Sequence, residues 1–286
     1  MQNVGGQAVI EGVMMKSPGG WSVAVRDQKG EIHVKRQLVE PRKGLLKMPF
    51  VRGVMALIDA IVIGVKAIDF SASRAYSEDE KPISPLSIAL TIILAFGLAV
   101  AIFIFLPLYL TKLIPFTASH SLWFNTIDGF IRVGLFILYV FAIGLWKDMA
   151  RIFEYHGAEH KVIHAYEEGL ELGIDNIRPY SPHHPRCGTS FLFIVMVLSI
   201  FVFSLIPHSW DFMLKFLSRI VLIPLIAGIS YEALRYSAKK KDNAFINLMI
   251  QPGLLLQRLT TREPDESQIE VAVVALREAV SLAGDR

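Results

Sequence analysis

The sequence contains little cysteine and little charge. Cys187 is the only cysteine among 286 residues, which excludes a disulfide within the chain. Charged residues make up 19% of the chain, against roughly a quarter in soluble domains. Hydrophobic residues reach 53%, which excludes an intrinsically disordered chain and a disulfide-rich secreted module. The net charge of +3 is not gathered into one long basic run, so no nucleic-acid partner is expected.

Long apolar runs fill the sequence instead. Residues 86–110 and 188–210 carry no Asp, Glu, Lys or Arg, and residues 130–146 and 216–236 hold charges only near their ends. A helix needs roughly 20 apolar residues to cross the hydrocarbon core of a bilayer. We therefore predict a mainly α, polytopic membrane protein with about four transmembrane helices and the lipid bilayer as its partner.

The charges between these runs predict the orientation of the chain. Lys and Arg number twelve before the first run, five between the second and third runs, and eight after the last run. Only two lie in each of the remaining loops. Because cytoplasmic loops are enriched in Lys and Arg, both termini and the middle loop are expected on the inner side of a bacterial cytoplasmic membrane.

Residues 1–50 are predicted to form a cytoplasmic β-rich segment. Residues 21–25 and 32–34 alternate between apolar and polar around a turn signal at 27–30, which indicates a hairpin. A third short strand is predicted over 7–13, between two pairs of glycines.

An amphipathic helix is predicted over 51–76, either in the membrane interface or packed on the helical bundle. Arg52, Asp59 and Lys66 lie seven residues apart, so they share one stripe that is expected to face water. The other segments are a four-helix membrane domain over 77–236 with a cytoplasmic His-rich loop at 147–188, and a cytoplasmic C-terminal tail over 237–286 with a short helix at 268–282.

Five of the eight histidines lie in the middle cytoplasmic loop. At 100° per residue, His156, His160, His164 and Glu167 fall on one face of a helix, with Glu159 beside them. Imidazoles at i and i+4 can share one metal ion, and a nearby carboxylate can accept a proton. The pattern His-x-x-Glu-His over 156–160 also matches that of inverted zinc proteases, although five residues are a weak signal alone.

A second cluster, His183, His184 and Cys187, directly precedes the third apolar run. We predict a divalent metal, with zinc as first choice, held by His156, His160 and one further ligand. The further ligand is expected from this set: His164, His183, His184 or Cys187. Three protein ligands leave an open position, which is typical of catalytic zinc. The alternative is a solvated His-rich loop in which Cys187 is a packing residue.

Three more carboxylates are possible members of this site. Glu154 and Glu167 flank the histidines along the same helix, and Glu232 lies near the cytoplasmic end of the last apolar run. Glu232 is expected either to pair with Arg235 or to close the site as an acidic group.

Four segments resemble a known family. Residues 5–15, 154–161, 184–191 and 259–264 are similar to the YqhQ-like bacterial membrane proteins, the domain of unknown function 1385 family, described as predicted metal-dependent enzymes. The resemblance covers nearly the whole chain. It implies a multi-pass membrane protein and metal dependence, but no reaction.

These observations predict a membrane-embedded metal-dependent enzyme, of a hydrolytic type, with its site at the cytoplasmic face. Glu159 would be the general base, acting on a membrane-associated substrate. One alternative is a non-catalytic scaffold or assembly factor that grips a cytoplasmic protein partner through its N-terminal β segment and residues 260–283. The third choice is a transporter, which would need to be an oligomer because few charges lie in the apolar runs.

Overall fold

The computed structural model of the chain describes residues 3–40, 42, 44–75, 85–115, 120–207, 209–238 and 244–284. The protein is mainly helical, with a small antiparallel sheet near its N-terminus. Three of its helices are long and apolar enough to cross a membrane. The last residue of the helix predicted over 51–76 lies outside the described residues.

The sheet is an antiparallel meander in the order β1-β2-β3-β4. Its strands are β1 (Gly5–Val9), β2 (Gly12–Lys16), β3 (Gly20–Arg26) and β4 (Ile32–Leu38). The predicted hairpin is present as β3 and β4. The single strand predicted over 7–13 is wrong, because the chain turns at Ile10 and Glu11 to form two strands. Glu11 has a positive φ of 50°, and the turn contains none of the Gly or Asn residues that usually mark a hairpin.

Both faces of the sheet are buried by helices. These are α1 (Val51–Ala75), α5 (Lys147–Glu167) and α10 (Glu266–Gly284). Trp21 and Val23 of the sheet pack with α1, whereas Ala24 and Met15 pack with α5 and α10. Because successive side chains of a strand point to opposite faces, β3 is apolar on both sides. The sheet thus supports α5, the helix that carries the predicted ligands.

The apolar helices form the other part of the molecule. They comprise α2 (Pro85–Val100), a π-helical turn (Ala101–Phe105), α3 (Leu106–Lys112), α4 (Ser121–Gly144), α7 (Gly188–Ser204) and α8 (Phe212–Ala238). The three long enough to cross a membrane are Ala89–Lys112, Ser121–Gly144 and Phe212–Tyr236. They match three of the four predicted runs.

The run predicted over 188–210 forms a shorter helix than expected. α7 has 17 residues, a length of about 26 Å at 1.5 Å per residue, and it ends at Ser204. Pro207 follows closely, and a proline disfavours helical backbone at the residue before it. The described chain therefore contains three long apolar helices and a shorter fourth.

The charged stripe of α1 contacts protein groups. Arg52 donates hydrogen bonds to both carboxylate oxygens of Glu232 in α8, and Asp59 pairs with Lys16 and Arg42. Glu232 therefore has Arg52 as a salt-bridge partner, which the sequence patterns do not predict. These pairs tie α1 to α8 on one side and to the sheet on the other.

Three shorter or later elements complete the fold. They are a 3₁₀ turn (Gly44–Lys47), α6 (Ile174–Ile177) and α9 (Ala244–Thr260). The sequence analysis did not predict α9, because its internal Pro252 and Gly253 resemble a turn signal. Gly253 instead allows α9 to approach α7, since a side chain there would meet Ser190. The helix predicted over 268–282 is present within α10.

A buried cluster of charges joins α4, α7 and α8. Asp128 accepts a 2.7 Å hydrogen bond from Arg132 and lies 3.1 Å from Arg219. Arg132 also donates to Ser199 of α7, and Arg219 donates to Asn125 of α4. Asp128 and Arg219 are each only 1% exposed. Because a buried charge is costly without partners, this cluster fixes how the three helices pack.

Candidate metal centre

Helix α5 and the residue before α7 bring three potential ligands together. His156 and His160 lie one helical turn apart on α5, with ring centroids 4.4 Å apart. The Sγ of Cys187 lies 3.3 Å from Nε2 of His156. One ligand atom from each of these residues lies within 4.8 Å of the others. The three are therefore spaced to share a single ion.

Backbone carbonyls fix the orientation of both imidazoles. The Nδ1 of His156 lies 2.8 Å from the Thr260 carbonyl oxygen, and the Nδ1 of His160 lies 2.6 Å from that of Pro182. A carbonyl oxygen can only accept, so each Nδ1 carries a proton. The Nε2 of His156 then faces the Sγ of Cys187 at 3.3 Å, and the Nε2 of His160 faces no hydrogen-bond partner among the described residues. Metal-binding histidines are usually oriented by a hydrogen bond of this kind.

The Nε2 of His160 is buried and has no hydrogen-bond partner within the described part of the chain. His160 is only 2% exposed, and burial lowers its pKa well below the ordinary value, so the ring is neutral. Burial also raises the pKa of the Cys187 thiol. A buried, unpartnered nitrogen is costly, and a metal ion is one group that would satisfy it.

Glu159 lies beside these ligands under strand β1. Its carboxylate accepts a hydrogen bond from the backbone N–H of Gly6, and a Cβ at position 6 would come within 2.9 Å of its Cγ and Cδ. Burial raises the pKa of Glu159 to about 8, an effect that nearby His156 partly opposes. Gly6 is thus required for the sheet to close over this carboxyl group.

Two other predicted ligands, His164 and His184, form a second group, which lies one turn further along α5. The ring centroids of His164 and His184 are 4.4 Å apart, and His184 lies 3.7 Å from Glu167. Glu167 also pairs with Arg186. His164 donates to the His183 carbonyl oxygen at 3.0 Å. These contacts anchor the loop before α7 and do not join the three-residue group.

Three predicted site residues lie apart from the ligands. The side chain of His183 lines a separate cleft, and its Nδ1 lies 3.2 Å from the Ser181 hydroxyl. Glu154 accepts a 2.9 Å hydrogen bond from Gln268 of α10. Glu232 is held by Arg52, as described above.

The groups that orient the ligands could not be predicted from the sequence. The carbonyls of Pro182 and Thr260 and the N–H of Gly6 are backbone atoms, which any residue type supplies. Gln257 of α9 was also missed; its side chain accepts from the N–H of His184 and donates to its carbonyl, both at 2.8 Å. The only available signal was that these positions lie in or near the segments that resemble the family.

A second group with metal-ligand chemistry, Asp27, Glu31 and His33, lies at the β3–β4 turn. Asp27 accepts hydrogen bonds from the N–H groups of Lys29 and Glu31 and from His33. These bonds close the hairpin, so its geometry is explained without an ion.

Comparison with known proteins identifies the family. Residues 48–282 match the sequence profile of the family described as "Protein of unknown function (DUF1385)". The chain is 33% identical over 294 aligned positions to "Uncharacterized protein YqhQ" of Bacillus subtilis (strain 168), covering 97% of this chain and 92% of that relative. No solved structure matches the chain. The chain therefore belongs to the DUF1385 family of proteins of unknown function.

Proposed function

We propose that this protein is a membrane-bound, metal-dependent enzyme whose ion is held by His156, His160 and Cys187. The observation that carries the proposal is the buried, unpartnered Nε2 of His160 beside two further ligand atoms. Backbone carbonyls orient both histidines through Nδ1, so that the Nε2 of His156 faces Cys187 and the Nε2 of His160 has no partner among the described residues. Such a pre-oriented set is costly to bury without an ion.

The donor set favours zinc. Imidazole and thiolate ligands suit Zn²⁺, and three protein ligands are typical of catalytic rather than structural zinc. An ion bound there would supply Lewis-acid chemistry, polarising an oxygen of the substrate. Cys187 must lose its proton to bind the ion, and burial alone opposes that loss.

Glu159 is the proposed general base. Its carboxyl group is buried next to His156, is held by the Gly6 N–H, and does not belong to the ligand group. Burial alone keeps this carboxyl group largely protonated near neutral pH, but a cation bound beside it would favour the ionised form. The carboxylate could then take a proton from an attacking group and return it to a leaving group. The reaction class that fits these parts is hydrolysis.

The substrate is proposed to be membrane-associated. Cys187 directly precedes α7, and the apolar helices α4 and α7 pack next to the site elements. In this proposal α7 is a fourth span, both termini lie in the cytoplasm, and the exposed apolar side chains Ile58, Ile61 and Ile68 place α1 in the membrane interface. The alternation of Lys and Arg along the chain supports this orientation.

The metal proposal is tested by the ion content of the purified full-length protein. We expect about one divalent ion per chain, and loss of it in the double variant His156→Ala/His160→Ala, because two of three ligands are removed. His33→Ala is the matched control, since it removes one imidazole from the other candidate group. Full metal content in a folded double variant, or loss only in His33→Ala, would contradict the proposal.

The second candidate is a non-catalytic scaffold. Strand β4 is exposed along Val34–Leu38 and, among the described residues, pairs only with β3. An exposed edge strand can accept a strand from a partner protein. Of the two segments first considered for this role, the C-terminal one is less suited to it, because α10 packs against β2 and β3.

A further inference from the structure

A cleft of about 440 Å³ lies between α9 and the loop that precedes α7. Four of its lining residues are polar, namely Ser181, His183, Gln251 and Arg258. No acidic residue is among its lining residues in the described part of the chain. Arg258 is exposed, and its guanidinium group forms no ion pair with another described residue. The cleft thus presents hydrogen-bond donors and one positive charge.

Glu263, a carboxylate close to His183, is paired with another cation. It forms a salt bridge with the buried Lys161. A guanidinium group binds phosphate oxygens through two parallel hydrogen bonds, and such charge-assisted bonds are about twice as strong as neutral ones. A tetrahedral anion therefore suits these polar residues better than a cation or a neutral sugar.

The other lining residues of the cleft are apolar. They are Ile250, Leu254, Leu255 and Pro185. Leu255 is 55% exposed, and Leu248 on the same helix is 68% exposed. A free phosphate ion would leave this apolar surface uncovered, whereas a lipid carries acyl chains that would cover it.

The same loop separates the cleft from the proposed metal centre. Ser181, His183 and Pro185 line the cleft. Between them, Pro182 offers its carbonyl to His160 and His184 packs beside His160. Alternate residues of this loop therefore line the cleft, and those between them contact His160. A ligand in the cleft would lie against the backbone that orients His160.

We propose that this cleft binds the phosphate headgroup of an anionic lipid, with Arg258 as its main contact and the acyl chains against Leu254 and Leu255. The proposal makes a phosphate-bearing lipid the substrate class of the adjacent centre, and in that part it rests on the proposed function. Binding of the lipid itself requires no metal.

The test is native mass spectrometry of the full-length protein released from detergent micelles and titrated with phosphatidylglycerol. The wild type should retain phosphatidylglycerol in preference to phosphatidylcholine. Arg258→Ala should weaken retention about tenfold, as expected for loss of a charge-assisted contact. Arg235→Ala is the matched control, because it removes an exposed arginine from the end of α8 and should change retention by less than about twofold. Arg258→Lys, which keeps the charge, should retain an intermediate amount.

The lipid site would be overturned if Arg258→Ala and Arg235→Ala lost phosphatidylglycerol retention equally. It would also be overturned if the wild type retained phosphatidylcholine and phosphatidylglycerol equally. Complete displacement of phosphatidylglycerol by millimolar inorganic phosphate would also overturn it, by identifying a free-phosphate site. Metal content is measured on every variant. A wild type without metal that still binds lipid through Arg258 would refute the proposed function and keep the lipid site.

Discussion

The two most different helices of this protein are α5 and the first apolar helix, Ala89–Lys112. α5 is rich in histidine and charge, yet eleven of its 21 residues are buried. In the apolar helix, no residue of the most apolar stretch is buried within the chain. Burial inside the molecule is thus the reverse of what hydrophobicity alone would give in water.

The difference shows that the two helices have different surroundings. Exposed leucine and phenylalanine are stable against lipid, so the apolar helix needs few contacts within the chain. Buried histidine, glutamate and lysine are costly without partners, and α5 finds partners in β1, between α6 and α7, and between α9 and α10. The buried polar side chains of α5 are therefore surrounded by protein and not by the bilayer.

The largest expected effect compares a glycine of α5 with a glycine of α4, one of the apolar helices. A methyl group at Gly157 of α5 would collide with the carbonyl oxygen of Arg262, whereas one at Gly134 of α4 would meet nothing within 4 Å. We expect Gly157→Ala to destabilise the protein by about 3 kcal/mol. Gly134→Ala should leave stability unchanged or raise it by at most about 1 kcal/mol. Thermal denaturation in detergent measures both, and equal melting temperatures would show that α5 is not tightly packed.

The next prediction separates a catalyst from a scaffold. Glu159→Gln keeps an oxygen that can accept from the Gly6 N–H, so the variant should fold and hold metal. General-base assistance contributes about 10²–10⁴-fold in rate, so the variant should fail to complement a deletion strain.

Glu168→Gln is the matched control for this experiment, because Glu168 lies at the exposed end of the same helix. Full complementation by Glu159→Gln would decide in favour of the scaffold. Truncation before α10 is not a useful test, since it would remove Val271, Ala272 and Leu276 from the core.

The smallest expected effect concerns the contact between α1, which packs on the sheet, and α8, which is one of the apolar helices. Arg52 of α1 and Glu232 of α8 form a partly exposed salt bridge. A double-mutant cycle with Arg52→Ala and Glu232→Ala should give a coupling free energy of no more than about 1 kcal/mol, read from melting curves. A coupling several times larger would mean that the two regions depend on each other through this one pair.

Local patterns in the sequence predict much of this architecture. The helical spacing of His156 and His160 and the apolar runs each depend on neighbours along one helix, so they can be read directly. The turn at Ile10 and Glu11 could not be read, because neither residue is one of the types that usually mark a hairpin turn. Helix α9 was missed because packing on Ser190 stabilises a segment whose Pro252 and Gly253 locally disfavour a helix.

The sequence predicts side chains of the candidate site but not the backbone groups that orient them. Cys187 follows His156 by 31 positions, and its approach depends on how the loop before α7 is anchored by Gln257. The carbonyls that fix the two imidazoles come from residues 182 and 260. A backbone oxygen has no sequence signature, so the protonation of each ring could be assigned only from the structure.

The cluster of Asp128, Arg132 and Arg219 has a consequence for how the chain enters a bilayer. α4 carries both members of the Asp128–Arg132 pair, four residues apart, so it can insert with its charges already neutralised. α8 carries Arg219 alone among these three, seven residues after the start of the span Phe212–Tyr236. An arginine there opposes insertion by less than the roughly 2.5–3.5 kcal/mol that it costs at a helix centre. Synthesis delivers α4 first, so α8 meets a carboxylate that is already in place. Biogenesis should therefore be sequential, with α4 acting as the template that admits α8.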